Sequence, residues 1–322
     1  MSKNMSNKPL SLTEFILKEQ QAFPKAHGNF SLLMEQIEYA CKIIASHVRQ
    51  AGLVDILGVT GEKNTFQDEV KKIDVFSNDL LIEVLKTSGQ VAMIASEELT
   101  EPIALKENAP YIVFFDPLDG SSNTDINAPI GTIFSIYHTK GGLLQKGSEQ
   151  VAAGYVLYGT STIFVYTSGK GVNGFTLDPA IGTFLLSHPD IKIPEFNNLY
   201  SVNEGESLTF NKTTQKFLHW IKQSDPTTKR PYKLRYIGAM IADVHRTLLK
   251  GGLFLYPATG KNPKGKLRLM YEANPAALIL REAGGLAFSD KTPILDLMPE
   301  HVHQQVPVVL GSKGNLEVFQ EF

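Results

Sequence analysis

The chain has 322 residues, 43 % of them hydrophobic and 20 % charged, with a formal net charge of −2. That length suits two domains or one large one, and the composition is that of a globular protein with a substantial core. The near balance of charge gives no electrostatic reason to expect nucleic acid or a membrane surface as partner.

Cys41 is the only cysteine, which excludes an intrachain disulfide and fits a reducing compartment. Residues 1–10 are polar and lack the apolar core of a signal peptide. No apolar run approaches the ~20 residues of a membrane span, so a cytoplasmic protein is expected.

In chain order, residues 11–22 form a weakly amphipathic helix, and 31–50 a stronger one. In the second, Leu33, Ile37, Ala40, Ile44 and Val48 fall at helical spacing, with Gly52 as a stop. Cys41 lies within it as a small buried hydrophobe. Gly58, Gly61 and Asn64 break any period over 52–73, which reads as a mobile loop carrying Asp68. A helix over 74–87 and a strand over 91–95 follow, the strand delivering Ser96-Glu97-Glu98 at its end. The next strand, 112–115, delivers Asp116. Both acidic motifs therefore sit where open α/β sheets place their ligands. From 131 to 177 short apolar runs alternate with glycine turns, a β-rich pattern. Residues 189–198, with two prolines and two asparagines, are the candidate linker. Beyond it helices (214–223, 242–250, 275–282) alternate with strands (254–256, 286–288, 308–310), the pattern of an α/β layered domain.

The most specific stretch is Phe114-Phe115-Asp116-Pro117-Leu118-Asp119-Gly120-Ser121-Ser122-Asn123. Asp116 and Asp119 are oxygen ligands of the kind Mg²⁺ or Mn²⁺ prefers, and Gly120-Ser121-Ser122 can form a backbone nest for an anion. A capped polar turn explains the D-x-x-D-G spacing alone; the full string behind a hydrophobic strand points to divalent metal beside phosphate. Asp68, Asp74 and Glu272 join Glu97, Glu98, Asp116 and Asp119 from a distance. Any one of them reads as a solvated surface acid. Converging, they would raise one another's pKa unless a cation neutralised them. Lys266 and Arg268, two apart on an extended segment, share a face and can aim at one anion. Asp243 and Arg246 suit a helical i,i+3 pair, which makes neighbouring His245 structural rather than catalytic.

These motifs resemble those of the fructose-1,6-bisphosphatases, within the lithium-sensitive, metal-dependent phosphatase superfamily. The resemblance runs from about Phe30 almost to the last residue. It implies an α/β sugar-phosphatase fold, a five-layer α/β/α/β/α stack. The division expected is an N-terminal domain over 1–198 with the metal site, and a C-terminal domain over 199–322 with the sugar-phosphate contacts. By resemblance Glu97, Asp116, Asp119 and Glu272 are metal carboxylates, with the Leu118 carbonyl as a further ligand. Asp68, Asp74 and Glu98 complete a further metal site and hold or deprotonate the attacking water. The cofactor implied is Mg²⁺, with Mn²⁺ as alternative, and more than one ion per subunit. Asn203, Arg235, Tyr236, Tyr256 and Lys266 match residues that hold the sugar's 6-phosphate, the arginine coming from a neighbouring subunit. Arg268 lies near the 1-phosphate with Asp119, Gly120, Ser121 and Ser122. Met240 packs on the sugar ring or simply fills core. A homotetramer, or at least a dimer, is implied.

The reaction implied is hydrolysis of D-fructose 1,6-bisphosphate to fructose 6-phosphate and phosphate, a step of gluconeogenesis. Sedoheptulose 1,7-bisphosphate is the alternative substrate, because the same metal site would serve it. Inositol-phosphate phosphatases are shorter and lack the Lys-Gly-Lys-Leu-Arg segment. A non-catalytic regulator would have lost a metal carboxylate, and none is lost. Two departures stand out. Glu206 replaces a tyrosine that contacts the 6-phosphate, so it is expected to point away or the loop to differ. The family's AMP site survives as Gly28, Ser31 and Tyr111, but its lysine and arginine positions are Pro110 and His138. Losing two cations predicts weak or absent AMP inhibition.

Overall fold

The structure, a computed structural model, describes residues 9–21, 28–51, 53, 59–63 and 69–322. Two helices come first, α1 (Leu12–Gln21) and α2 (Asn29–Arg49). α2 starts from Gly28 and buries Leu33, Ile37, Ala40, Cys41 and Ile44 on the face set by their spacing. Burial pushes the Cys41 thiol up to about 12, so it packs as an inert hydrophobe. Within the expected 52–73 loop there is instead an antiparallel ribbon, β1 (Val59–Lys63) with β2 (Glu69–Lys71). Its pairing is between backbone groups, which side-chain periodicity does not report. Gly52 and Asp68 lie outside the described residues.

After α3 (Lys72–Ser88) the chain builds a large sheet. Its strands are β3 (Val91–Ser96), β4 (Ile103–Ala104), β5 (Tyr111–Asp119), β6 (Ile130–His138), β7 (Gln150–Tyr158), β8 (Thr162–Thr167), β9 (Asn173–Asp178) and β10 (Thr183–His188). Their order is β10-β9-β8-β7-β6-β5-β3-β4, antiparallel except where β3 lies beside β5. β5 runs on to Asp119, past the end expected at Phe115. Asp116 faces Ile133 and Asp119 faces Gly131, so β5 carries one extra residue there. Such a bulge is where a sheet tolerates a proline, and Pro117 sits in it.

The second half contributes β11 (Leu199–Ser201), α4 (Lys212–Lys222), β12 (Lys233–Leu234), α5 (Met240–Lys250) and β13 (Leu253–Tyr256). There follow β14 (Leu267–Arg268), a π-helical turn over Leu269–Ala273, α6 (Asn274–Glu282), β15 (Leu286–Ser289) and β16 (Thr292–Pro293). β17 (Gln305–Val306), β18 (Val308–Gly311) and α7 (Lys313–Gln320) complete it. The second sheet is ordered β12-β11-β13-β18-β15-β16, and β14 pairs with β17. No sequence signal pointed to α7, whose Gly314 and Asn315 are poor helix formers. Tertiary contacts hold it: Leu316 is buried, and the Asn315 amide bonds the Asn197 backbone at 2.9 and 3.0 Å.

Period-2 alternation sorts the layers. Tyr111, Val113, Phe115, Phe164 and Tyr166 pack under α1, α2 and α3, whereas Ile133, Ile163 and Val165 face the other way, onto α5 and α6. Phe254, Val308 and Leu310 of the second sheet close that same cluster. Their neighbours Leu253, Leu255 and Val309 turn outward to Phe217 and Ile221 of α4 and Leu316 of α7. The layers therefore read α/β/α/β/α. Each of these large apolar side chains contributes about 1.5–3 kcal/mol by leaving water. No helix among the described residues is long and apolar enough to cross a membrane.

Candidate active site

β3 and β5 are parallel neighbours with Ser96 opposite Phe115, so the residues that follow emerge together. Glu97, whose N–H donates to the Phe115 carbonyl at 3.1 Å, thus stands beside Asp116. The third acid arrives from the other half of the chain. The π-helical turn brings Glu272 back over its own start, where its carboxylate accepts the Arg268 N–H at 2.5 Å. Among the described residues, ligand atoms of Glu97, Asp116 and Glu272 lie within 4.8 Å of one another. They edge a cavity of about 470 Å³ that also meets Asp74, Glu98, Leu118 and Asp119.

Electrostatics make this cluster costly without a cation. Burial raises Asp116 well above the ordinary carboxylate range, and the charges of Glu97, Asp119, Glu272 and Glu98 add to it. Burial likewise lifts Glu272, with Glu97 adding and Arg268 opposing. Asp119 is pushed up to about 7 by burial, although the Ile241 N–H, donating at 2.7 Å, holds it down in part. Arg268 is the protein's own counter-ion here, with Nη1 2.9 Å from Glu97 Oε1. All the donors are oxygens, so the set fits a hard divalent cation rather than zinc or copper.

Gly120, Ser121 and Ser122, which line the same cavity, form the turn after the bulge, Gly120 in the left-handed region at φ 74°. Tyr236, Tyr256, Lys266 and Arg268 line the same cavity, the last two on one face as their spacing required. Met240 lines it too and belongs to the core between the sheets, the filling role its apolar side chain allowed. Asn203 and Arg235 stand outside it and are exposed. The Asn203 side-chain Oδ1 accepts the Gly205 N–H at 3.2 Å, and Arg235 Nη1 donates to the Leu234 backbone carbonyl at 2.7 Å. Glu206 does not line the cavity, yet its charge reaches Tyr236 and Tyr256 and helps raise both phenols, behind the larger effect of burial.

Sequence reasoning missed the part α5 plays. Its first turn supplies the N–H to Asp119, and Asp243 lines the cavity with a carboxylate that bonds mainly to the 237–238 backbone and Ser201. Arg246, the i+3 partner, is 4.0 Å away. An aspartate near the start of a helix was the only signal, and it served equally for the structural i,i+3 pair. His245 points to the Tyr155 hydroxyl, 2.7 Å from Nδ1, away from the acids.

Enclosure of His245 makes an acid-sensitivity prediction. Burial lowers its pKa to about 4, with His188 adding, against about 6.5 in the unfolded chain. The unfolded state then takes up a proton that the native state refuses. Stability is complete above 6.5 and is lost as pH falls toward 4, by about 2 kcal/mol after allowing for partial exposure. In urea titrations at pH 7.5 and 5, His245→Gln is expected to lose less stability between the two than the parent chain. Equal losses would refute the assignment.

A second cavity, of about 610 Å³, lies where α2 begins, lined by Gly28, Phe30, Pro110, Tyr111, His138 and Lys140 among others. His138 stacks on Tyr111 at 5.4 Å. The Ser31 hydroxyl is bonded to Gln20 at 2.5 Å and does not line the cavity. Lys140, an exposed residue of this lining, brings a cation beside His138.

Five layers with an acid-lined cleft at the ends of parallel strands, facing a small-residue turn and two cations, are those of the sugar-phosphatase class. Models of the fructose-1,6-bisphosphatase N-terminal and C-terminal domains match residues 10–189 and 193–322. A class 1 fructose-1,6-bisphosphatase of Persephonella marina is 51 % identical, covering 99 % of both chains. One of Cytophaga hutchinsonii is 48 % identical over 100 % of this chain and 96 % of its own. The crystal structure of Leishmania major fructose-1,6-bisphosphatase in holo form superposes with a TM-score of 0.92 at 39 % identity, covering 98 % of this chain and 99 % of the other. The chain belongs to the fructose-1,6-bisphosphatase family.

Proposed function

We propose that the chain hydrolyses the 1-phosphate of D-fructose 1,6-bisphosphate, giving fructose 6-phosphate and inorganic phosphate. The observation that carries this is one cavity lined together by the converging carboxylates of half-buried Glu97 and buried Asp116 and Glu272, the Gly120–Ser122 turn, Lys266 and Arg268. Glu97, Asp116, Asp119, Glu272 and the Leu118 carbonyl would hold divalent metal, Mg²⁺ with Mn²⁺ as the alternative, and more than one ion. A cation bound there neutralises charge and lowers the pKa of an attacking water. The N–H groups of the Ser121-Ser122 turn and the Arg268 guanidinium hold the 1-phosphoryl oxygens in place. Asp74 and Glu98, with Asp68, orient the water and take its proton. The new P–O bond forms as the bond to the sugar oxygen breaks, and that oxygen leaves with a proton taken from solvent water. Tyr236, Tyr256 and Lys266 hold the 6-phosphate, with Asn203 and a partner copy's arginine at the position of Arg235 completing the grip. The N-terminal part, to about residue 198, then carries most of the metal acids and the remainder the sugar contacts, in a cytoplasmic homotetramer.

The test is phosphate release from fructose 1,6-bisphosphate and from sedoheptulose 1,7-bisphosphate, each with Mg²⁺, Mn²⁺ or EDTA. Metal-dependent turnover favouring the fructose ester is expected. Comparable rates on both would make the chain a dual bisphosphatase, with Glu206 beside Tyr236 and Tyr256 as the cause. No turnover on either would sink the proposal.

Regulation by AMP is expected to be weak or absent. Among the described residues, Pro110 and His138 leave Lys140 as the cation lining that cavity, exposed and screened by solvent. Micromolar inhibition in an AMP titration would overturn this.

A further inference from the structure

We propose that Asp243 is a positioning residue that builds the grip on the substrate's remote phosphate, an inference that rests on the bisphosphate reading above. Asp243 is wholly buried in the first turn of α5. A buried carboxylate persists only where donors converge on it. Here they come from two segments distant in sequence. The Ser201 hydroxyl donates to Oδ1 at 2.6 Å. The Ile237 N–H reaches Oδ1 at 3.2 Å and Oδ2 at 3.0 Å, and the Gly238 N–H reaches Oδ2 at 3.2 Å. Arg246 Nε, at 4.0 Å, is too far for a hydrogen bond and acts only through its charge.

What those donors belong to gives the residue its role. Ser201 ends β11, two residues before Asn203. Ile237 and Gly238 directly follow Arg235 and Tyr236, and the Arg235 N–H already donates to the Tyr200 carbonyl at 2.8 Å. Asp243 thus ties the 201–203 and 235–238 segments to the helix whose Ile241 N–H holds Asp119. Gly238 turns the chain at φ 89°, so the hold on its N–H fixes how Tyr236 is presented. Without the carboxylate, the two segments that face the remote phosphate lose their common anchor. The effect therefore falls on the 6-phosphate end more heavily than on the scissile end.

The experiment compares kcat/KM for fructose 1,6-bisphosphate with that for fructose 1-phosphate, which lacks the remote phosphate, in the full chain with Mg²⁺. Asp243→Asn keeps the volume and removes the charge. It is expected to lower the ratio of the two constants about tenfold, with KM for the bisphosphate carrying most of the change. Ser201→Ala removes one donor and is expected to lower the same ratio about threefold. A variant that merely loosens the fold costs both substrates equally and leaves the ratio where it was, which would overturn the proposal. Should Asp243→Asn not fold, Ser201→Ala decides by the same ratio. A parent chain that hydrolyses neither ester sinks the reaction assignment and this inference with it. A parent chain that prefers the bisphosphate, beside variants that keep the same preference, sinks the inference alone.

Discussion

Asp116→Asn is expected to lower kcat/KM for fructose 1,6-bisphosphate at least a thousandfold and, in EDTA, to raise the thermal midpoint. The two effects share one cause. Asparagine keeps the volume and can still accept the Leu118 N–H that now donates to Asp116 Oδ1 at 2.9 Å, so local backbone geometry survives. It removes a charge from a buried cluster in which Glu97, Asp119, Glu272 and Glu98 all oppose ionisation of Asp116. With that repulsion gone the metal-free fold gains about 1 kcal/mol, a rise of roughly 2 °C. The cation loses a carboxylate at the same stroke, and a thousandfold loss of rate is about 4 kcal/mol of lost transition-state stabilisation. The pH dependence has a definite sign. A carboxyl held above its unfolded value binds protons that the unfolded chain releases, so native stability falls as pH rises past the ordinary carboxylate range. The advantage of the variant in EDTA therefore widens with rising pH. Mg²⁺ should raise the parent's midpoint and leave the variant's nearly still. A variant that is less stable in EDTA yet still shifts with Mg²⁺ would refute the account.

How much of this was legible in the sequence divides by the range of the interaction. The apolar spacing of Leu33, Ile37 and Ile44 and the run from Tyr111 to Phe115 specify α2 and β5 through local periodicity, and both stand. Acids placed just after predicted strands were legible because a strand end is a local event, and Glu97 and Asp116 do meet. That Glu272 completes the cluster, and that the layers number five, came from family resemblance; no periodicity links residue 272 to residue 97. Strands of two residues such as β12, β14 and β17 exist because a neighbour offers its backbone, and two letters carry no period. Asp243 was read through its neighbour Arg246 because that pair is local. That i,i+3 ion pair is present at 4.0 Å, but the hydrogen bonds to Asp243 come from backbone N–H groups and a serine 42 positions away, and an N–H has no letter in the sequence.

Gly120→Ala tests the closest of these long-range contacts, and it is expected to cost about 2–4 kcal/mol of stability together with roughly a hundredfold in kcat/KM. Gly120 has φ 74°, where an L side chain is strained, and a Cβ built there would stand 2.4 Å from the Ala239 Cβ and 3.0 Å from its Cα. Backbone on both sides leaves no flexible side chain to yield. The 239 segment must move outward, and with it the first turn of α5 that gives Asp119 its N–H at 2.7 Å. Asp119 then loses the bond that opposes its upward shift, and the Ser121-Ser122 turn loses its wall. The strain and the overlap can be separated. Adding Ala239→Gly removes the Cβ–Cβ collision and keeps the unfavourable φ, so the double variant should regain about tenfold in kcat/KM while remaining less stable than the parent. Kinetics at a temperature well below the midpoint of both variants make the comparison. A double variant as slow as Gly120→Ala alone would mean that strain in the turn governs the rate, and that contact with α5 does not.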